Sequence, residues 1–460
     1  MSRPVRVPGS IFLCVLIVLS LPAATARAQG RVVGYYPMWY SSTLPAAGVR
    51  FDIVTHVNHA FAWPNADGTI AADEAVADTG LIRSAHRAGR KVLLSFGGAG
   101  ATQTANFAVV AADTALRRKF IANVVARLSA YGYDGADLDW EGPASLADRG
   151  NEVALVQQMR AALRAADTSW LLTMAVGVSD YSGQWRDFTT LKGSVDWFNA
   201  MTYDIFGSWS PYTGHNAPMV EPPGHAGDWS VTQGIAYLHQ TRGIPGAQLT
   251  LGLPFFGQRF LNTAGLYAAF GSAAEVTYTD VSSDRAAGWT YAWDSVSQVP
   301  YLVNPAKTAL DAFDDSASIA IKCAYAKASG LSGVMIWALG EDLVAGKQPL
   351  MEAVGVAMSP STDAPRAASL PGAAGFRLYG NYPNPFNPST TIRYSLPARM
   401  SVSLVVYNML GQQVAEIVRG AEEAGVHEAR FDAGSLPSGV YFARVRAGEN
   451  AAVQEMMYVK

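Results

Sequence analysis

The sequence predicts an α/β domain followed by a small all-β domain. Between residues 31 and 358, eight short apolar runs alternate with helix-compatible stretches, the pattern of a parallel sheet with crossover helices. A segment rich in Pro, Ala, Ser and Gly follows at 359–375 and is typical of a linker. Residues 376–460 hold alternating β-type segments between Gly, Pro and Asn turns, which predicts an Ig-like β-sandwich.

The N-terminal segment predicts export. Arg3 and Arg6 precede an apolar run at 11–21, and the small-residue site Ala26-Arg27-Ala28 follows. This order is typical of a secretory signal peptide, here 1–28, cut after Ala28. The apolar run is too short to span a bilayer comfortably, so we expect no stable membrane insertion.

The eight apolar runs match the strand count of a (β/α)8 TIM barrel over 29–358, whose functional residues lie at the C-terminal strand ends. The predicted strands are 32–36, 53–62, 91–96, 133–140, 171–178, 195–204, 249–256 and 333–339. The gap between strands seven and eight is the longest and rich in Gly, Trp and Tyr. We therefore expect a small α+β insertion at about 258–315, beside the active-site face.

The charge balance argues against several partners. Thirty-four basic and 37 acidic residues give a net charge of −3 without a basic run, so neither a nucleic acid nor an anionic membrane is expected as a partner. His56 and His59, three apart in a strand, point to opposite faces, and no other His or Cys motif has ligand spacing. We expect no metal and no cofactor.

Cysteine usage predicts a chain without an internal disulfide. Cys14 lies in the predicted signal peptide, which leaves Cys323 as the single thiol of the mature chain. Cys323 lies in an apolar, helix-like run and is expected to be a small buried hydrophobic residue.

The strongest chemical signal is the run from Asp134 to Glu141 in the fourth strand. Asp137, Asp139 and Glu141 stand at i, i+2 and i+4, so their side chains share one face, spaced ~7 Å apart along the strand. Such like charges cannot all ionise freely, which leaves one carboxylic acid available near neutral pH. A glycosidase needs that acid to protonate the leaving oxygen. A solvated acidic edge or a cation site is the alternative, which the apolar β-sequence around the run disfavours.

These residues resemble glycoside hydrolase family 18, the chitinase family. The family pattern Asp-Gly-x-Asp-x-Asp-x-Glu is matched by Asp134, Gly135, Asp137, Asp139 and Glu141. Three further matches follow in order and spacing: Ser95-Phe96-Gly97-Gly98, Met201-Thr202-Tyr203-Asp204 and Trp337. The resemblance covers about residues 31 to 355.

The resemblance implies a substrate-assisted, retaining hydrolysis in which the 2-acetamido oxygen of the sugar is the nucleophile. It implies that Glu141 acts first as acid and then as base, and that Asp139 accepts the acetamide N–H while Asp137 shares a proton with it. It further implies that Tyr203 donates to the acetamide oxygen, that Asp204 holds the −1 sugar or tunes Glu141, and that Trp337 forms the floor beneath the sugar.

Other candidates have two interpretations each. The aromatic residues at strand ends line sugar subsites or pack in the core; they are Tyr35, Trp39, Phe61, Trp140 and Trp209. Arg259 resembles the family's cleft arginine, with a surface salt bridge as the alternative. Met201 and Gly98 are expected beside the substrate, although Ser95, Gly97 and Gly98 also shape the third strand end.

The C-terminal domain resembles the sorting domain of the type IX secretion system of Bacteroidota-type, Gram-negative bacteria. The matching residues are 381–388 (NYPNPFNP), 407–411 (YNMLG) and 436–441 (LPSGVY), with the chain ending at Lys460. The resemblance implies contact with the type IX machinery and a secreted or cell-surface protein. A carbohydrate-binding sandwich is the alternative, but no planar row of Trp or Tyr is evident.

The sequence therefore predicts a secreted, monomeric chitinase acting on chitin or N-acetylglucosamine oligosaccharides. An endo-β-N-acetylglucosaminidase acting on N-glycans shares the same carboxylate pattern, but the insertion favours the chitinase. A catalytically inactive chitin-binding lectin is the third possibility, and the presence of Glu141, Asp139 and Tyr203 argues against it.

Overall fold

The computed structural model describes residues 30–72, 79–222, 229–359 and 376–458, without 383, 385, 409–411 and 449. The chain divides into two compact units, Met1–Thr362 and Asp363–Lys460. The predicted signal peptide 1–28 lies outside the described residues, as does the predicted linker apart from Ser359.

The described part of the first unit alternates strands and helices. Its strands are β1 (Arg31–Pro37), β2 (His56–Pro64), β3 (Ile70–Ala72), β4 (Lys91–Gly97), β5 (Gly135–Asp139), β6 (Leu171–Val176), β7 (Trp197–Ala200), β8 (Leu249–Pro254), β9 (Phe256–Leu261), β10 (Ser272–Thr277), β11 (Thr290–Asp294), β12 (Val299–Val303), β13 (Ala309–Ala312) and β14 (Gly333–Trp337). Its α-helices are α1 (Thr79–Arg87), α2 (Ala101–Ala112), α3 (Thr114–Tyr131), α4 (Leu146–Ala166), α5 (Asp180–Gly183), α6 (Phe188–Leu191), α7 (Val231–Ala236), α8 (Tyr278–Ala286), α9 (Ser316–Ala328) and α10 (Pro349–Met358). Shorter 3-10 or π turns lie at Met38–Tyr40, Ala46–Gly48, Tyr237–Thr241 and Gly246–Gln248.

Eight parallel strands close into a barrel, which confirms the predicted fold. Their order is β1-β14-β8-β7-β6-β5-β4-β2, and β1 also pairs with β2, so that no barrel edge stays open. The strands are almost entirely buried because side chains fill the interior and helices cover the outside. Two aspartates therefore stand inside β5, whose five residues are all buried.

Local signals in the sequence place the helices around this barrel. The Asp113 side chain accepts the N–H groups of Ala115 and Leu116 and so caps α3, which ends at Gly132 in the left-handed conformation (φ 78°). Ser145 caps α4 in the same way, by accepting the N–H of Asp148. Strand β5, which carries two of the carboxylates, therefore lies in the chain between two capped helices, α3 and α4.

The predicted insertion is present as an antiparallel sheet with the strand order β10-β9-β13-β12-β11, accompanied by α8. It extends over 256–312, against a predicted 258–315, and β9 begins after one residue beyond the end of β8. Its apolar side chains form two small cores, one around Phe260 and Leu310 and one around Val281 and Leu302. The insertion therefore continues directly from a barrel strand end.

The C-terminal unit is all-β, as predicted. Its strands are β15 (Arg377–Tyr382), β16 (Ser389–Leu396), β17 (Met400–Asn408), β18 (Gln413–Glu422), β19 (Gly425–Asp432), β20 (Gly439–Ala447) and β21 (Asn450–Tyr458). They form a three-stranded sheet, β15-β16-β19, and a four-stranded sheet, β18-β17-β20-β21. Both sheets contribute to one core, which includes Tyr394, Leu404 and Tyr441. In the parts of the chain that the structure describes, no helix has the length and apolar character needed to cross a bilayer.

Candidate active site

The β5 carboxylates form a gradient of exposure from the barrel interior to its mouth. Asp137 is fully buried, Asp139 is 4% exposed, and Glu141 is exposed just beyond the strand end. Strands β4 and β5 approach closely here, because a Cβ at Gly97 (φ 134°) would lie 1.9 Å from the Asp139 carbonyl oxygen. The sequence thus places one carboxyl at each of three depths.

Asp137 is the acceptor for four inward-facing side chains. Its Oδ2 accepts the hydroxyls of Tyr35 (2.8 Å) and Ser95 (2.7 Å), and its Oδ1 accepts those from Thr173 (2.5 Å) and the Asn199 amide (3.3 Å). Burial raises the pKa of Asp137, whereas the four donors lower it. Donors from other strands, rather than the Asp139 carboxyl, therefore occupy both of its oxygens, and the predicted proton sharing with Asp139 stays a prediction.

A further layer fixes the amide of Asn199. Its Oδ1 accepts hydrogen bonds from Trp197 Nε1 (2.9 Å) and Thr250 Oγ1 (2.8 Å), which leaves Nδ2 directed at Asp137. Thr173, Asn199 and Thr250 are buried polar residues in barrel strands. Sequence analysis did not single them out, although strand periodicity identifies polar residues within otherwise apolar runs.

We expect Thr173→Val to lower the free energy of unfolding by about 1–3 kcal/mol, because it removes one donor from a buried carboxylate at nearly constant shape. Urea denaturation of the purified protein measures this. Thr189→Val, at an exposed position on α6, is the matched control and should leave stability within about 0.5 kcal/mol. Equal stability of the Thr173 variant and the wild type would contradict a supporting role for this hydroxyl.

Asp139 has a buried carboxyl oxygen, Oδ1, without a hydrogen-bond partner among the described residues. Burial, the charge of Glu141 and the charge of Asp137 raise its pKa well above the usual range, while Arg186 opposes them. The surroundings of Asp139 therefore favour its protonated form, and Oδ1 is free to accept a hydrogen bond.

Glu141 interacts electrostatically with a second acidic residue, which comes from another strand end. Desolvation and then the negative charge of Asp204 raise the pKa of Glu141, and Arg186 lowers it. Asp204 follows β7 in the left-handed conformation (φ 56°), and burial raises its pKa to about 6 against a hydrogen bond from Gln258. Both the burial of Glu141 and the charge of Asp204 therefore favour the protonated form of Glu141.

Arg186 is a buried cation that sequence analysis missed. Its guanidinium pairs with Glu152 and donates to the carbonyl oxygen of Trp140. Burial raises the pKa of Glu152 to about 7 in spite of this pair. Arg186 lies between α5 and α6, where a single arginine forms no pattern that a sequence could reveal.

Tyr203 brings a neutral hydroxyl to the same region. Burial, and then the charge of Asp139, raise its pKa well above the usual range. Its hydroxyl lies 3.8 Å from the sulfur of Met335, a weak acceptor, and its ring packs edge-on against Phe256. The hydroxyl thus stays protonated and is weakly engaged. Met201, two residues before it, is partly buried against the barrel core.

Trp337, at the end of β14, is a partly exposed ring supported by two other aromatic residues. Its centroid lies 5.5 Å from that of Tyr35 and 5.7 Å from that of Phe61, which is nearly parallel to it at 23°. Gly98 lies beneath Phe61, since a Cβ there would be 3.1 Å from its ring. Tyr35 is 1% exposed, and its hydroxyl donates to Asp137. The prediction that its ring lines a sugar subsite is therefore corrected: Tyr35 supports Asp137 and Trp337 from within the barrel.

The prediction that Trp140 lines a sugar subsite is wrong. Its ring is 3% exposed and stacks on Phe107 of α2, with centroids 5.6 Å apart and an interplanar angle of 14°. Because strand side chains alternate, Trp140 points away from the face that carries Asp139 and Glu141. It joins β5 to the surrounding helices.

Arg259 is engaged with carboxylates of the insertion. Its guanidinium donates to both oxygens of Asp311 (2.7 and 2.8 Å) and pairs with Asp284, and it lies 5.1 Å from the centroid of Trp289. The salt-bridge alternative describes these contacts, and a contact with substrate stays a prediction. The preceding residue, Gln258, contacts Asp204 instead.

The remaining candidates have simpler surroundings. Trp39 and Trp209 are 55% and 63% exposed and stay predicted subsite residues. His59 Nδ1 lies 2.8 Å from the hydroxyl of Tyr133, and His56 packs edge-on against Trp197. No group of three His, Cys, Asp or Glu able to hold a metal occurs among the described residues. Cys323 is buried, as predicted, and burial raises the pKa of its thiol to about 12.

Comparison with known proteins decides the family. Residues 31–342 match the family described as glycosyl hydrolases family 18. The chain belongs to this family. Residues 381–460 match the secretion system C-terminal sorting domain, as predicted.

Three similar proteins illustrate the family relationship. Chitinase A1 of Niallia circulans is 30% identical over 421 residues, which cover 72% of this chain and 60% of that protein. The GH18 chitinase of Cycas revoluta, solved in complex with (GlcNAc)3, covers 71% of this chain and 99% of its own, with 26% identity and a TM-score of 0.65. The chitinase-like agglutinin of Robinia pseudoacacia covers the same shares, with 29% identity and a TM-score of 0.64.

Proposed function

We propose that the chain is a secreted chitinase that hydrolyses β-1,4 linkages between N-acetylglucosamine units in chitin and chito-oligosaccharides. The observation that carries the proposal is the Asp139 carboxyl, which is buried between Asp137 and Glu141 and has one oxygen without a described partner. An acetamide N–H of the substrate would satisfy that oxygen. Family membership and the similarity to Chitinase A1 support the same substrate class.

In the proposed reaction, Glu141 donates its proton to the glycosidic oxygen while the substrate's 2-acetamido oxygen attacks the anomeric carbon. The bond to the leaving sugar breaks, and a positively charged oxazolinium ion forms. The Glu141 carboxylate then takes a proton from a water molecule that attacks the anomeric carbon from the opposite face of the ion. Two inversions give net retention without an enzyme nucleophile.

Asp139 and Tyr203 would hold the acetamide group in the reactive orientation. When substrate binds, the shared proton would pass from Asp139 to Asp137; the Asp139 carboxylate then accepts the N–H, and its charge offsets the positive charge that develops on the ring. The Tyr203 hydroxyl donates to the acetamide oxygen; its raised pKa keeps it protonated. The four donors on Asp137 favour its ionised form, so that the proton of the pair resides on Asp139 before substrate binds.

Trp337 would form the apolar floor beneath the −1 sugar, with Phe61 behind it. The wall beside this floor would be the insertion, which begins one residue after β8. A cleft with one wall of this size favours several sugar subsites in a row and therefore a polymeric substrate.

We further propose export through the type IX pathway. The match of residues 381–460 to the sorting domain supports this route, and the sequence of residues 1–28 supports a first step across the inner membrane. The protein would then act outside the cell or at its surface, and as a monomer.

Incubation of the purified mature protein with N-acetylglucosamine hexamer and, separately, with an N-glycosylated protein tests the activity. Mass spectrometry of the products should show short N-acetylglucosamine oligomers from the hexamer. NMR in the first minutes should show the β-anomer at the new reducing end, because the mechanism retains configuration. Release of intact glycans with an untouched hexamer would instead indicate the endo-β-N-acetylglucosaminidase.

A sugar-binding protein without activity is the other candidate, and the similarity to an agglutinin is the observation that favours it. Retention of the acid Glu141, the buried Asp139 and the Tyr203 hydroxyl favours hydrolysis. Binding of the hexamer without any product would support the agglutinin-like function.

A further inference from the structure

Gln258 of the insertion contacts Asp204, the acidic residue that follows β7. It lies in β9, is 4% exposed, and its Nε2 donates to Asp204 Oδ1 at 3.1 Å. Its neighbour Arg259 faces the other side of the strand, toward Asp311. Strand alternation therefore directs the amide, and not the guanidinium, to the carboxylates after the barrel strands.

A second residue fixes the backbone of Asp204. The Asp204 N–H donates to Asn216 Oδ1 at 3.0 Å, and Asn216 Nδ2 donates to the Phe256 carbonyl oxygen at 3.2 Å. Asp204 has a left-handed backbone (φ 56°), which an L-residue adopts at a cost, so these contacts are needed to hold it. The backbone and the carboxylate of Asp204 are thus both tied to the start of β9.

The groups that interact electrostatically with Asp204 are mostly acidic. Its charge raises the pKa values of Glu141, Tyr203 and Glu275, the last of which pairs with Gln258 across β9 and β10. Arg186, in contrast, lowers the pKa values of Glu141 and Asp139. Gln258 is the side chain that donates a hydrogen bond to the Asp204 carboxylate among the described contacts.

We propose that Gln258 is a positioning residue that keeps Asp204 ionised beside Glu141 and so sets the pH range over which Glu141 delivers its proton. This inference rests on the proposed function of Glu141 as the acid. It assigns to the insertion a part in proton transfer, in addition to forming a wall of the cleft.

The direction of the effect follows from the charges. Above a pH of about 6, Asp204 is ionised, and its charge holds the proton on Glu141. Without the amide donor, the pKa of Asp204 rises, so Asp204 keeps a proton to higher pH. A protonated Asp204 carries no charge and no longer raises the pKa of Glu141, so Glu141 loses its proton at a lower pH. Loss of the amide should therefore move the basic limb of the activity profile to lower pH.

The test compares pH profiles of kcat/KM on N-acetylglucosamine hexamer for the wild type, Gln258→Met, Asp204→Asn and the double variant. We expect Gln258→Met to shift the basic limb by about 0.5–1 unit, a loss of roughly 3- to 10-fold at its alkaline end. In the Asp204→Asn background the same change should add no shift, because the effect passes through the Asp204 charge. Gln233→Met is the matched control, since it removes an amide donor from Glu221.

An unshifted profile of folded Gln258→Met, or an equal shift in the Asp204→Asn background, would overturn the inference. If Gln258→Met does not fold, Gln258→Asn serves instead, since its shorter side chain withdraws the amide from Asp204, and the same outcomes apply. An inactive wild type would contradict the proposed function itself, whereas an active wild type with an unshifted variant would contradict only the role of Gln258.

Discussion

Glu141→Gln should lower kcat on N-acetylglucosamine hexamer by about 10²–10⁴-fold, the contribution of a positioned general acid. The amide has nearly the same shape but no proton to give to the leaving oxygen. Binding should change little, because the sugar contacts of the floor and of Asp139 remain. Product formation measured by mass spectrometry and hexamer affinity measured by calorimetry separate the two effects.

Glu352→Gln is the matched control for this change, since Glu352 is exposed on α10. It should turn over the hexamer at the wild-type rate. Undiminished hydrolysis by the Glu141 variant would exclude Glu141 as the acid. A variant that neither hydrolyses nor binds would indicate damage to the cleft, and thermal unfolding of the same sample would reveal it.

Asp139→Asn should lower kcat by about 10²–10³-fold, the range found when a group that stabilises transition-state charge is removed. The neutral amide still accepts the acetamide N–H but cannot offset the positive charge of the oxazolinium ion. Because the carboxyl is buried and its pKa raised, the amide should not lower the melting temperature. Kinetics and thermal unfolding together distinguish lost chemistry from lost structure.

The same residue allows a test of the nucleophile. In the proposed reaction no covalent bond forms to Asp139, so rapidly quenched wild-type reactions should contain no glycosylated peptide that includes it. Detection of a glycosyl ester on Asp139 would contradict substrate assistance and indicate the two-carboxylate mechanism instead.

Strand periodicity explains why the positions of the β5 carboxylates could be predicted from the sequence and why a subsite role for Trp140 could not hold. The alternation that places Asp137 and Asp139 inside the barrel also turns Trp140 outward, onto Phe107. Of the two interpretations of Trp140, core packing already followed from its position between Asp139 and Glu141, on the opposite face of the strand. The same alternation turns Gln258 toward Asp204 and its neighbour Arg259 toward Asp311.

Other parts of the site depend on contacts between distant segments. Arg186 lowers the pKa values of Asp139 and Glu141 from the segment between α5 and α6, and Asn216, twelve residues after Asp204, accepts the Asp204 N–H. No spacing in the sequence encodes such pairs, because they arise only when the barrel brings the strand ends together. The fold, by contrast, follows from eight local patterns that each predict a strand.

The closing strand β14 carries Trp337 and lies about 300 residues after β1, with which it pairs. In a chain that ends before β14, the edges of β1 and β8 with which β14 pairs would be left open, and open sheet edges invite association with other chains. Such a chain would contain Glu141, the proposed acid, but not Trp337, the proposed floor beneath the sugar. The strand that closes the barrel therefore also carries the proposed aromatic floor of the site, so a chain without β14 would lack both.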